Sequence, residues 1–554
     1  MKSNRRSFIQ KIGVATVALG QAPTAFASAK DIEDPQDKGN DQLLQIGDNI
    51  ANANTSYGKV RGFVLRGINT FLGIPYGADT SGENRFMPPQ KPKTWTDVYP
   101  AVWWGNSAPQ GTNKRYENKY ASFVDHLNFD DESEDCLRLN VWTPGIADGK
   151  KRPVMVWVHG GGYANGNAIE QDGYHGENFS RRGNVVFCSL NHRLGTLGYA
   201  NFAKAGSKFA ASGNVGMLDI VAALEWVRDN ISNFGGDPGN VTILGQSAGG
   251  AKVCVLTAMP AAEGLFHKAV VLSGASIKAE EKDLSEKLGE YVLKEAGLTL
   301  SDMDKLQKMP WQEYNAMATK ANLKMREEMK LPGGLGAGGF RPVVDGTFLP
   351  QHPYSPAASP TVSEIPMIIC SLFNEISLSR TNADLEKIQL AEVKEKVKER
   401  FGDKTDKIVE AYAKSFPDKK PIEIWSMVIS NHRQNAITLA DTKSMQNAAV
   451  YLAWFGWQPP LFDNRMRSFH NLDICFWFNN TDLMYTHTGG GSRPAKLSIK
   501  MADTLLKFMQ TGNPNGAGLP TWAKYTSDKG ETMILNDQSE LKNDPDREAR
   551  KAFV

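Results

Sequence analysis

The run Val241-Thr242-Ile243-Leu244-Gly245-Gln246-Ser247-Ala248-Gly249-Gly250 joins a short β-branched and aliphatic stretch directly to Gly-Gln-Ser-Ala-Gly. This is the G-x-S-x-G pattern of a nucleophile elbow, in which a strand turns sharply into a helix. Glycines at 245 and 249 remove the Cβ atoms that would clash in so tight a turn, and the turn leaves the Ser247 hydroxyl exposed at its tip. The helix that follows presents the positive end of its dipole to whatever binds there. The pentapeptide leaves two positions free and uses common residues, so its meaning depends on what surrounds it.

Upstream, Pro153-Val154-Met155-Val156-Trp157-Val158 is continuously apolar, the pattern of a strand covered on both faces. It ends in His159-Gly160-Gly161-Gly162-Tyr163, a glycine nest with free N–H groups. Asn184 to Leu190 is a second largely apolar strand, followed by Asn191-His192-Arg193. From 214 to 234 apolar residues recur every three and four positions, as in a helix, up to the stop Asn233-Phe234-Gly235-Gly236-Asp237-Pro238. With a strand at 241–244 and a helix at 248–258, this strand-helix-strand-helix succession predicts α/β architecture with a parallel central sheet. Further strands are expected in a hairpin at 58–65 and 68–72, and at 136–142, 266–273, 365–370 and 472–478. Residues 277–345 read as helices and loops, 384–404 as a solvated helical face, 428–455 as helical, and 495–509 as a late helix. Residues 30–52 and the charged tail from Asn543 are expected to be loosely attached.

The chain has 554 residues, 41% hydrophobic and 22% charged, an ordinary globular composition with room for a large core. Its first eleven residues are basic with no acid and contain Arg5-Arg6-Ser7-Phe8-Ile9. A short apolar run from Ile12 to Leu19 and small-x-small sites around 25–29 follow, which reads as a twin-arginine-type signal at 1–27, with cleavage after 29 as the other option. The run is too short for a permanent membrane anchor. A single catalytic domain over 30–554 and a periplasmic or secreted location are therefore expected. Removing 1–27 takes away Lys2, Arg5, Arg6 and Lys11 and moves the formal charge from +2 to −2, so the basic balance argues for no nucleic-acid partner. The five cysteines, at 136, 188, 254, 370 and 475, are odd in number and too sparse for a disulfide scaffold, and none forms a metal-binding C-x-x-C pair.

A serine hydroxyl at neutral pH needs a base within hydrogen-bond reach, and its developing oxyanion needs fixed donors. The nest after 158 stands where this architecture places its oxyanion-hole loop, so the donors are assigned to the N–H groups of Gly161, Gly162 and Ala248. His159 is read as holding that loop by hydrogen bonding. The base should come late in the chain, after the acid. His470, in Ser468-Phe469-His470-Asn471-Leu472-Asp473, is the leading candidate, with His432 and His487 as competitors. Glu375 follows the strand ending at Cys370 and is the candidate acid, against the alternative of a surface carboxylate.

The assembled pattern resembles the type-B carboxylesterase family, which includes bacterial para-nitrobenzyl esterases, animal carboxylesterases and cholinesterases. The resemblance runs through Phe71-Leu72-Gly73-Ile74-Pro75-Tyr76, Arg85-Phe86, Ser133 to Trp142, His159 to Gly162, Asn191-His192-Arg193 and Phe234 to Pro238 into Gly245 to Gly250. It implies an α/β-hydrolase fold with a central, mostly parallel sheet flanked by helices and large helical insertions around an active-site gorge. It further implies a triad of Ser247, Glu375 and His470, no metal and no organic cofactor, with a small-molecule ester as partner and an acyl-enzyme as intermediate. The chain departs from the family in four places. Gln246 stands where glutamate is usual, Ile376 and Asn471 stand where glycine follows the acid and the histidine, and His192 stands where tyrosine is frequent, a change read as packing. Cys136 matches a family half-cystine but has no upstream cysteine to pair with. The alternatives are an amidase or lactonase on the same scaffold, or a non-catalytic adhesion relative; the intact Ser247, Glu375 and His470 argue against the last.

Overall fold

Among the residues described by the computed structural model (42–111, 123–124, 127–128, 131–331 and 339–553), twelve strands hydrogen-bond into one sheet. The expected signal lies outside the described residues. Residues Leu44–Val554 form one compact unit.

In chain order the strands are β1 (Leu44–Gln45), β2 (Asn52–Thr55), β3 (Gly58–Arg61), β4 (Phe63–Leu65), β5 (Ile68–Pro75), β6 (Tyr99–Pro100), β7 (Arg138–Thr143), β8 (Arg152–Val158), β9 (Val186–Leu190), β10 (Gly236–Gln246), β11 (Lys268–Leu272), β12 (Met367–Leu372), β13 (Val450–Phe455), β14 (Glu531–Leu535) and β15 (Glu540–Asn543). The large sheet runs β1-β4-β5-β7-β9-β8-β10-β11-β12-β13-β14-β15, while β2, β3 and β6 form a small separate sheet. Pairing is parallel from β9 to β14 and antiparallel at both edges, so the sheet is mixed and mostly parallel. This is the α/β-hydrolase arrangement. The register sets Gly245 against Val158 on β8 and Val271 on β11, so the carboxyl ends of three central strands come level with one another. Such a strand-end edge is where open α/β sheets bind ligands.

Alternation along the central strands divides the core into two layers. Val154, Val156, Val158, Ile243, Val271 and Ile369 face α1 (Val215–Asn230), α2 (Ala248–Leu256) and α3 (His432–Ser444). Met155, Trp157, Leu244, Val270, Leu272 and Ile368 face α4 (Ser492–Thr511) on the other side. Two satellite cores belong to the helical insertions, one around Phe86, Leu288 and Tyr314 and one around Val393, Val409, Val428 and Trp454.

Two buried ion pairs tie loops to this frame. Arg193, just after β9, meets Asp219 of α1 through Nε–Oδ2 (2.8 Å) and Nη2–Oδ1 (2.6 Å), and the Arg193 N–H donates to the same carboxylate at 3.0 Å. Arg85 Nε donates to Glu134 Oε1 at 2.7 Å, and Arg85 Nη2 donates to the other carboxylate oxygen. These pairs explain why the Arg85-Phe86, Glu134 and Asn191-His192-Arg193 segments carry charges within otherwise apolar surroundings.

Four sequence expectations are corrected. Residues 472–478 do not form a strand: Ile474–Trp477 is a single helical turn, with Trp477 Nε1 donating to Asp473 Oδ2 at 3.1 Å. The 428–455 stretch is not wholly helical, because Val450–Phe455 is the fully buried strand β13, paired on both sides. Short continuous apolar runs have no periodicity that separates a buried strand from a buried helical turn. The tail is anchored rather than loose, since β15 pairs with β14 and the buried Asp546 takes the Arg433 guanidinium at 2.9 Å. At the other end β1 already pairs with β4, so the expected looseness of residues 30–52 does not extend to Leu44–Gln45. All five cysteines are free and buried, so Cys136 has no bridge.

Candidate active site

Ser247 follows the last residue of β10 with φ 56° and ψ −129°, a strained conformation for any residue with a Cβ. Its N–H donates to the Leu272 carbonyl of β11 at 2.8 Å, and its carbonyl accepts from the Ala251 N–H at 3.0 Å. A Cβ on Gly245 would lie 2.3 Å from the Gly249 carbonyl, and one on Gly249 would lie 2.1 Å from the Val158 carbonyl oxygen. The first glycine therefore permits the turn itself. The second lets α2 press against the end of β8, where the glycine nest begins.

That nest is built by left-handed backbone, with φ 92° at Gly161 and 65° at Gly162. The Gly161 carbonyl accepts from Ala164 (3.1 Å) and Asn165 (2.9 Å), while among the described residues no backbone acceptor takes the N–H groups of Gly161, Gly162 or Ala248. These three residues line the same cavity as Ser247, and a Cβ on Gly160 would come within 3.3 Å of the Ser247 Cβ. Donors left unused by the fold and aimed at one cavity are what a developing oxyanion requires.

Beneath the loop lies a buried polar stack. The His159 ring stacks on that of His192, centroids 4.8 Å apart and planes 20° from parallel, and His159 Nδ1 is 3.1 Å from the Gly160 carbonyl oxygen. His159 thus holds the loop and His192 packs, as the sequence suggests. Lys252 of α2 completes the stack: its Nζ donates to the His159 carbonyl at 3.0 Å, and burial pushes its pKa down to about 7. Burial also holds both imidazoles well below their ordinary range, and the Lys252 charge adds to the effect. Sequence reasoning missed Lys252; its signal is a lone cation inside the apolar run from Ala251 to Leu256.

Glu375 and His470 converge on the cavity from two different loops. Glu375, three residues beyond β12, accepts at Oε1 from the Leu372 N–H (2.9 Å) and at Oε2 from His470 Nδ1–H (2.6 Å). The His470 N–H also donates to the Glu375 carbonyl at 3.2 Å, so backbone and side chain are tied together. Burial opposes ionisation of Glu375, but the imidazoles of His432 and His470 and the Leu372 N–H prevail and bring its pKa down to about 2. Burial lowers His470, yet the hydrogen bond and charge of Glu375 win, and the imidazole titrates above its ordinary value. Asp473, buried behind the pair, is pushed up to about 7 by burial and by the charge of Glu375.

The departures from the family pattern acquire physical content here. Asn471 has φ 71°, a left-handed conformation that asparagine tolerates better than most residues and that glycine would also satisfy. Ile376 has no such φ, and its carbonyl accepts from Ser426 Oγ at 2.7 Å, so this loop needs no glycine at that position. Gln246 places its amide nitrogen 3.1 Å from His470 Nε2. With Nδ1–H engaged by Glu375, Nε2 is the acceptor and the amide donates to it. The side chain beside the serine thus occupies the lone pair that a serine proton would need.

Of the competing histidines, His432 stands beside the pair, its ring 5.2 Å from that of His470, and it lines the cavity. His487 packs against Phe469 with Nε2 3.1 Å from the Val124 carbonyl oxygen and does not line the cavity. The cavity has a volume of about 1370 Å³. Tyr163 and Phe469 contribute to its wall, whereas Trp425 and Trp477 do not.

Comparison with known proteins agrees with this fold. The model of the carboxylesterase family matches residues 50–554. The chain is 32% identical to the para-nitrobenzyl esterase of Bacillus subtilis over 509 residues, covering 90% of this chain and 97% of that protein. Among solved structures, it is similar to an esterase from Clostridium hathewayi that can hydrolyse aliphatic aromatic polyesters, with a TM-score of 0.80 and 32% identity over 91% of this chain and 98% of the other. A carboxylesterase of Geobacillus stearothermophilus matches with a TM-score of 0.75 and 31% identity over 91% and 100% of the two chains.

Proposed function

This chain belongs to the carboxylesterase family and is a serine hydrolase of carboxylic esters, and from that premise we propose how its residues divide the work and where it acts. Ser247 is the nucleophile, His470 its base, Glu375 the carboxylate that orients His470, and Gly161, Gly162 and Ala248 the oxyanion donors. The observation that carries this reading is the 2.6 Å bond from His470 Nδ1 to Glu375 on the wall of the cavity that exposes Ser247. In the reaction, Gln246 releases Nε2, His470 takes the serine proton as Oγ attacks the ester carbonyl, and the proton passes to the departing alcohol. Water repeats the sequence on the acyl-enzyme, with His470 again as base. A cavity of about 1370 Å³ accommodates aryl and bulky alkyl esters, so para-nitrobenzyl esters and short aliphatic-aromatic oligoesters are the probes of choice.

The role of His470 is tested by the pH dependence of kcat/KM. The imidazole must be neutral to accept a proton, so activity rises with pH as His470 deprotonates, at a pH above that of an unperturbed histidine. Gln246→Glu adds a carboxylate beside Nε2, which stabilises the imidazolium, and is expected to move this acid limb to higher pH by about one unit. An acid limb that stays in place in Gln246→Glu and persists in His470→Ala overturns the assignment.

The mature chain acts outside the cytoplasm, exported through Arg5-Arg6 by a twin-arginine route. The reading rests on the basic, acid-free start and the short apolar run after it. On expression of the full chain in a Gram-negative host, ester hydrolysis is expected in the periplasmic fraction. Arg5→Lys together with Arg6→Lys is expected to leave an uncleaved protein in the cytoplasm. Unimpaired export of that double variant points instead to the general secretory route, whose signals tolerate the exchange.

A further inference from the structure

Glu375, His432 and His470 each offer one ligand atom to a common point, and these atoms all lie within 4.8 Å of one another. Nothing in the ester-hydrolysis scheme uses His432. It is nevertheless held firmly in place at the start of α3, with Nδ1 3.2 Å from Ser430 Oγ. The loop before it is pinned by Arg400, whose Nη1 donates to the Ile429 carbonyl and whose Nη2 donates to Asn431 Oδ1 at 2.7 Å. All three side chains line the cavity, so an ion reaches them from solvent and keeps water in its remaining position.

We propose that Glu375, His432 and His470 form an inhibitory site for a borderline divalent transition metal, zinc above all, which shuts the hydrolase by seizing its base. Two imidazoles and one carboxylate are a set that suits zinc and discriminates against magnesium and calcium, which prefer all-oxygen shells. Bonds of 2.0–2.1 Å place tetrahedral ligands about 3.3 Å apart, so side-chain adjustments of roughly 1 Å close the site around the ion. Binding of the ion displaces the proton that His470 holds more tightly than an ordinary histidine. Coordination by His470 disables it through either nitrogen. At Nε2 the metal takes the lone pair meant for the serine proton; at Nδ1 it expels the proton shared with Glu375 and breaks the orienting bond. His432 distinguishes this site from a bare triad, because without it only a carboxylate and one imidazole remain.

The inhibition rests on His470 being the base, whereas the binding does not, and the test separates the two. The purified, chelator-treated protein is titrated with zinc chloride, following 4-nitrophenyl butyrate hydrolysis and, in parallel, heat release by calorimetry. Loss of activity that magnesium and calcium do not reproduce and that chelator reverses is expected, with one zinc bound per chain. His432→Leu and His432→Gln, each compared with its own uninhibited rate, should raise the inhibition constant by at least about 10-fold, the usual cost of losing a metal-site partner. Absence of both zinc binding and zinc inhibition at millimolar concentration, or unchanged constants in both variants, overturns the site. One-to-one binding that is lost in the His432 variants yet leaves hydrolysis untouched keeps the site and overturns the role of His470. A wild type inactive before any metal is added refutes the hydrolase reading.

Discussion

Ser247→Ala is expected to lower kcat for ester hydrolysis by about 10⁵-fold while leaving the fold intact. Removal of the hydroxyl abolishes the covalent route, because no other nucleophile stands at the elbow. What survives is the stabilisation that the oxyanion donors and substrate binding give to direct attack by water, roughly 10³-fold over the uncatalysed reaction in comparable serine hydrolases. The effect should fall on kcat rather than on KM, since Oγ contributes to the transition state more than to substrate binding. Relief of the strain at φ 56° does not follow, because alanine keeps the Cβ and hence the same backbone cost. Rates on 4-nitrophenyl butyrate and a para-nitrobenzyl ester, normalised to the concentration of folded protein, measure the loss. A variant within tenfold of wild type would refute the serine mechanism.

The largest expected loss of stability is at a residue that touches no substrate. Asp219→Ala leaves the Arg193 guanidinium, 2% exposed, inside the protein with, among the described residues, only the Met87 carbonyl to receive it, 2.8 Å from Nη1. Removal of one partner from a buried pair of this kind costs about 3–5 kcal/mol, most of it the penalty for the stranded charge. The double change Asp219→Leu with Arg193→Met removes both charges and should be markedly less damaging than the single one. Urea midpoints of the three proteins decide the matter. A single variant with a wild-type midpoint, or a double variant at least as damaged as the single one, contradicts this account. The ester-hydrolysis rate should fall in the single variant as well, because Arg193 adjoins His192, which stacks under the glycine nest.

The fold was legible where the sequence carries both periodicity and punctuation. β8, β9 and β10 are apolar runs closed by glycine or asparagine, and their alternation alone separates the two faces of the core. It was illegible around 450 and 474, where a few apolar residues stand in succession and only tertiary pairing decides between a strand and a helical turn. In the site, Ser247 and the nest announce themselves by spacing. Glu375 and His470 do not, because 95 residues separate them and their union depends on two loops meeting over the ends of β12 and β13. The contact between Gln246 and His470 lies beyond sequence altogether, since it is a matter of which way one amide swings.

The five cysteines, all free and all buried, bear on how this protein can be handled. Burial pushes their thiols up, those of Cys136 and Cys188 among them, so hardly any thiolate is available at neutral pH. Native protein should therefore be silent to maleimides and other thiol-selective labels. A cysteine introduced at an exposed position such as Lys387 would then be the one site at which a fluorophore or a surface linker attaches, with no background to engineer away.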